Sequence, residues 1–153
     1  YCFMKKILKA IGIFCTTAFI IFNLVWFSNY LMYRKFTDGL QEIMSFSAYD
    51  ILVDGYGYHV KFPDYLSFTG NLAVITEDNK YTLIIWPSLF AETKYGVMVV
   101  TESNEYTDFF VQIMIDRDLV SEYDDDQALI DQHRENIEDL FQKANARWGT
   151  EFE

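Results

Sequence analysis

The densest set of side chains able to do chemistry is the acidic run Asp116, Asp118, Glu122, Asp124, Asp125 and Asp126. Carboxylates this close could hold calcium. An EF-hand loop needs oxygen ligands at its first, third and fifth positions and a glycine at its sixth. Counting from Asp116 puts Val120 at the fifth position, counting from Asp124 puts Ala128 there, and neither register supplies the glycine. The simpler expectation is that Asp124, Asp125 and Asp126 fill the first turn of a helix, where the macrodipole favours anions by roughly 0.3–1 kcal/mol each.

Other candidates fare no better. Gly55-Tyr56-Gly57 matches the tripeptide of a potassium filter, but a filter needs a pore helix and two flanking spans. A glycine-rich hairpin loop explains it instead. His59 alternates onto the polar side of a strand pattern and His133 borders a helical stripe; no HExxH, CxxC or close His–carboxylate pair accompanies either. There is no GxSxG, no GxGxxG and no P-loop. Carboxyl pairs suited to glycoside hydrolysis are abundant, but two must face each other across about 5–9 Å, which spacing along the chain does not establish. The sequence therefore assigns no catalytic, cofactor-binding or metal-binding residue.

Aromatic side chains offer binding chemistry. Tyr56, Tyr58, Tyr65 and Phe68 gather between Gly55 and Gly70, around a proline turn. Tyrosine combines apolar area with a polar tip, which suits a peptide, a glycan or a membrane protein as partner. The competing reading is that these rings fill the core and edges of a sheet.

The elements that must position these residues start with a membrane-length stretch. Ala10 to Met32 is twenty-three residues without a charged side chain. As a helix it is about 35 Å long, against a hydrocarbon core of roughly 30 Å. Met4 begins MKKILKA, the opening of an exported or membrane-inserted chain. Signal cleavage after Ala18 would leave FIIFNLVWF at the new terminus, so an uncleaved anchor is expected. Trp26, Tyr30 and Tyr33 read as an interfacial aromatic belt. Lys5, Lys6 and Lys9 before the stretch outweigh Arg34 and Lys35 after it, which predicts a cytoplasmic N-terminus and a domain outside.

Charge divides the chain at the same place. Residues 1–35 carry +5, whereas residues 36–153 hold all 23 acids against the seven remaining bases, −16. That balance opposes nucleic-acid binding and predicts a domain that stands off anionic lipid. The domain has no cysteine and the chain no N-x-[ST] sequon.

Beyond the anchor, residues 34–47 place Phe36, Leu40, Ile43 and Met44 at helical spacing and predict a stalk helix. From Tyr49 the period becomes two, predicting strands at Tyr49–Val53, Tyr58–Phe62, Leu72–Glu77, Tyr81–Trp86, Tyr95–Thr101 and Thr107–Ile115. Short turns between them imply antiparallel hairpins. Ala73–Ile75, Leu83–Trp86 and Val97–Val100 are apolar at every position, which predicts central strands covered on both faces. A final helix is expected from Glu122 to Arg147, with Ser121 as N-cap and Gly149 ending it.

The expected fold is α+β: a single transmembrane helix, a stalk helix, and an antiparallel sheet of five or six strands with a C-terminal helix packed on it. Residues 1–35 form the anchor and 36–153 an acidic extracytoplasmic domain. The expected function is a single-pass, membrane-anchored, non-enzymatic interaction domain of a cell envelope, held in the bilayer through residues 10–32 and attracting a basic peptide or protein partner. The alternatives are a small envelope-polymer hydrolase using a carboxylate pair and a structural subunit of a membrane complex.

Overall fold

The computed structural model describes residues 2–44, 47–66, 68–103 and 108–149. One helix precedes a sheet of seven strands, and two helices follow it, an α+β architecture. Helix α1 spans Cys2–Arg34 and is long and apolar enough to cross a membrane. Four of its polar side chains bond back to the helix itself. Thr16, Asn23, Ser28 and Asn29 donate to the carbonyls of Gly12, Phe19, Leu24 and Val25, each four residues back, at 2.8–3.0 Å. Such back-bonding lets a polar residue sit in an apolar segment without an unpaired donor.

The predicted stalk helix does not form. A 3-10 turn at Lys35–Thr37 follows α1, and Gly39 adopts the left-handed conformation at φ 71°. The chain then enters strand β1 at Gln41–Met44, paired antiparallel with β2. The helical spacing of Leu40, Ile43 and Met44 is overridden because a glycine with positive φ ends a helix readily, while the edge of the sheet supplies backbone partners.

The other strands are β2 (Ala48–Val53), β3 (Tyr56–Lys61), β4 (Asn71–Thr76), β5 (Tyr81–Trp86), β6 (Lys94–Ser103) and β7 (Asp108–Ile115). They pair in sequence order, all antiparallel, so the sheet has seven strands rather than five or six. Thr107, placed at the start of the last strand by its pattern, lies outside the described residues. Val53 pairs with Tyr56 across a two-residue turn. Asp54 and Gly55 there have φ 51° and 81°, the positive pair that hairpin twist demands.

One face of the sheet builds the core. Val60, Leu72, Val74, Leu83, Ile85 and Val97 are completely buried on it. Each contributes about 1.5–3 kcal/mol relative to exposure. Helices α2 (Asp124–Gln132) and α3 (Arg134–Trp148) cover this face, contributing buried Ile130, Ile137, Leu140 and Ala144. The single predicted C-terminal helix is thus two, broken at His133 with φ −110° and ψ 15°. Asp124, Asp125 and Asp126 do occupy the first turn of α2, and Gly149 caps α3. Ser121 is not the N-cap; that position is Tyr123. The Ser121 hydroxyl instead donates to the Tyr123 carbonyl at 2.6 Å, and Ser121 itself bridges to Ile115.

The opposite face corrects a second expectation. Ile75, Ile84, Trp86, Met98 and Met114 point away from the helices and are only partly buried, although the small Ala73 among them is buried, so no helix covers this side of the apolar strands.

Candidate functional site

The end of α1 is built into the domain. Tyr33 is 1% exposed and donates to the Pro87 carbonyl at 3.3 Å, and Phe36 is buried beside it. Tyr30 lies 4.7 Å from the ring of Phe62, and the Trp148 indole donates to the Phe36 carbonyl at 3.1 Å. Gly70 makes this junction possible. A Cβ there would stand 2.4 Å from the Lys61 carbonyl oxygen and 2.9 Å from Tyr33.

Further toward its N-terminus, α1 meets the β3–β4 connection. Tyr65 packs edge-on against both Phe22, at 5.2 Å, and Trp26, at 5.3 Å. Its hydroxyl donates to Asn23 Oδ1 at 2.8 Å, and Phe68 lies 4.8 Å from Phe22. Trp26, Tyr30 and Tyr33 therefore turn toward the domain, and the side chains presented outward at that level are Leu24, Phe27 and Leu31.

The four aromatic residues of the predicted binding loop separate into two pairs. Tyr65 and Phe68 hold α1. Tyr56 and Tyr58, on β3, hold α3. The Tyr56 hydroxyl donates to the Asp139 carboxylate, with the Lys143 ammonium 4.7 Å above its ring. That hydrogen bond, with burial adding to it, keeps the Tyr56 phenol above its ordinary acidity range. Tyr58 lies between Trp148 at 5.8 Å and the Arg147 guanidinium at 5.7 Å, and burial raises its pKa. A parallel link joins β5 to the helix break: Tyr81 OH and His133 Nδ1 are 3.0 Å apart.

Two depressions carry acids. A cleft of about 1030 Å³ runs between residues 91–95 and 114–122, lined by Glu92, Asp116, Asp118 and Glu122 together with Lys94 and Arg117. Asp116 Oδ1 accepts from the backbone N–H groups of Asp118 and Val120, both at 2.9 Å, and so stabilises its own turn. Arg117 Nε donates to the Tyr95 hydroxyl at 2.9 Å. A shallower depression of about 540 Å³ lies at the other end of the sheet, beside Asp54, Glu77, Asp78 and Tyr81. Among the described residues no three His, Cys, Asp or Glu side chains gather as metal ligands, and no carboxylate is buried. Asp78 is held below the usual carboxylate range by hydrogen bonds from Thr76 and the Lys80 backbone, and Asp131 by Arg134 and Gln127. Both directions favour a permanently ionised surface group rather than a proton donor.

The open sheet face is not covered by a helix. Registered rows run Asp50, His59, Ala73, Ile84, Gly96, Met114 and Leu52, Gly57, Ile75, Thr82, Met98, Gln112. A Cβ at Gly96 would stand 2.9 Å from the Trp86 indole, so that ring lies across the glycine beside Met114. His59 is half-buried in the first row; burial lowers its pKa, partly opposed by Asp50. Sequence patterning identified these strands as apolar on both sides but carried no signal for what covers each face. Comparison with known proteins finds no matching family model, no matching curated protein and no matching solved structure.

Proposed function

We propose that this chain is a membrane-anchored, non-enzymatic interaction domain, with its N-terminus in the cytoplasm and residues 36–153 outside, that docks a basic protein or peptide on the open sheet face. The observation that carries this reading is the apolar strip of Ile75, Ile84, Trp86, Met98 and Met114, only partly buried across the strands of a domain whose charge is −16. Apolar area supplies affinity, and the acidic surroundings raise the encounter rate of a cationic partner. A hydrolase has less support, because its general acid needs a desolvated carboxyl, and the described carboxylates are at least partly exposed.

The test uses the full chain in zwitterionic lipid discs and a probe peptide of alternating lysine and leucine, with empty discs as control. Binding is expected to weaken about tenfold between low salt and about 150 mM, as screening shortens the reach of exposed charge. It should weaken about tenfold again, about 1.4 kcal/mol, in the variant I84N/M98N. Salt-independent binding removes the electrostatic part of the reading, and unaltered binding by the variant removes the face. External protease on intact cells tests the orientation: digestion of residues 36–153 supports it, and full protection reverses it.

A further inference from the structure

The domain grips α1 inside its apolar run rather than after it. Contacts from Tyr65 and Phe68 begin at Phe22, whereas the uncharged stretch runs from Ala10 to Met32. Residues 10–21, the part of that stretch before the grip, number twelve and span about 18 Å. Letting Lys9 snorkel and counting from Ile7 gives about 22 Å. Both fall short of a hydrocarbon core of roughly 30 Å, and tilting the helix shortens its reach across the bilayer further. If α1 spans, the segment near Phe22 and Trp26 lies below the membrane surface, and whatever is packed on that segment lies there too.

The side chains at that level fit such a position. The β3–β4 connection presents Tyr65 at 42% and Leu66 at 82% exposure. Because β3 and β5 run in the same direction, the β5–β6 connection emerges at the same end of the sheet, and it presents Leu89 and Phe90, the latter 75% exposed. Tyr33 ties the two connections together, packing on Gly70 in one and donating to Pro87 in the other. Charge on them is sparse. Asp64 pairs with Lys61 at 3.3 Å, and Glu92 lines the cleft shared with Lys94 and Arg117.

The geometry points to a membrane-inserted collar: the tips of the β3–β4 and β5–β6 connections, led by Leu66 and Phe90, lie in the outer leaflet beside α1, with lipid acyl chains as their partner. This rests on the reading that α1 spans the bilayer. It replaces a domain standing clear of the membrane with one whose apolar tips enter while the acidic remainder stays in water.

The test attaches a fluorophore to single cysteines in the full chain carrying C2S and C15S, reconstituted in phosphatidylcholine vesicles. The sites are Leu66→Cys, Phe90→Cys, Asp78→Cys at the opposite end of the sheet, and Phe14→Cys in α1. Quenchers are a lipid labelled near the top of its acyl chain and a water-soluble iodide. The collar predicts lipid quenching at positions 66 and 90 and iodide quenching at 78. Iodide quenching at 66 and 90 with lipid quenching at 14 overturns the collar and leaves the anchor standing. Iodide quenching at 14 overturns both.

Discussion

The two faces of one sheet have had opposite fates, and β5 shows it within three residues. Leu83 and Ile85 are completely buried under α3, while Ile84 between them points to the open side and is only partly buried. All three are aliphatic and all three have antiparallel neighbours. What separates them is the layer above. The covered face carries the stability of the fold, and the open face keeps apolar area that the fold does not consume.

Breaking this comparison begins with its largest contrast. Leu83→Ala is expected to cost about 3 kcal/mol of folding stability, because truncation under a packed helix leaves a cavity. Ile84→Ala should cost about 1 kcal/mol, since a partly exposed site loses less contact and lets solvent fill the gap. Denaturant unfolding of the full chain in detergent, followed by circular dichroism, measures both; equal costs would mean the open face is also sealed. Gly70→Ala comes next, at about 2 kcal/mol, because the new methyl meets backbone atoms at Lys61 and Pro63 that cannot rotate away. Its unfolding midpoint should fall well below that of Gly12→Ala, a helix position with open space around it.

A smaller effect sharpens the covered side. Tyr56→Phe removes the hydrogen bond to Asp139 and should cost about 1 kcal/mol near neutral pH. The raised Tyr56 pKa means the native state holds the phenolic proton more tightly than the unfolded chain does. The wild-type advantage is therefore complete below the ordinary tyrosine value of about 10 and shrinks as pH climbs through the raised one. Stability differences measured at pH 8 and in the alkaline range should show the gap closing. The smallest effect belongs to the open face. Burial depresses the His59 pKa, so its contribution is present above the ordinary histidine value of 6.5 and is lost as pH falls through the depressed one. His59→Gln should flatten the acid limb of the stability profile between pH 7 and pH 5; an unchanged slope would place the titration elsewhere.

Local signals carried most of the sheet. Tyr81–Trp86 is a strand over the residues its alternation predicts, and Asp54-Gly55 forms the turn its sequence encodes. Where local and long-range signals competed, the sequence misled. Leu40, Ile43 and Met44 share a helical face by spacing, yet backbone pairing with β2 makes a strand after Gly39. The break at His133 has no glycine or proline to announce it, and its ring partner, Tyr81, is 52 residues away. The aromatic cluster was visible as composition. Its division between α1 and α3 depended on which helix the strand and the loop each meet, and periodicity holds no such information.

The burial of Tyr33 and Phe36 has a mechanical consequence. No slack linker separates α1 from the core, so the helix meets the domain as a mast rather than a tether. A domain on a tether samples a hemisphere and a range of heights; one on a mast that spans a bilayer, as proposed, would rotate about the membrane normal and drift laterally, and do little else. Under the proposed anchoring, its open face would be held at one altitude and one inclination. A partner of the kind proposed would have to arrive at that altitude, and a mutation that loosens the Tyr33 junction should change the inclination of the open face before it changes the face itself.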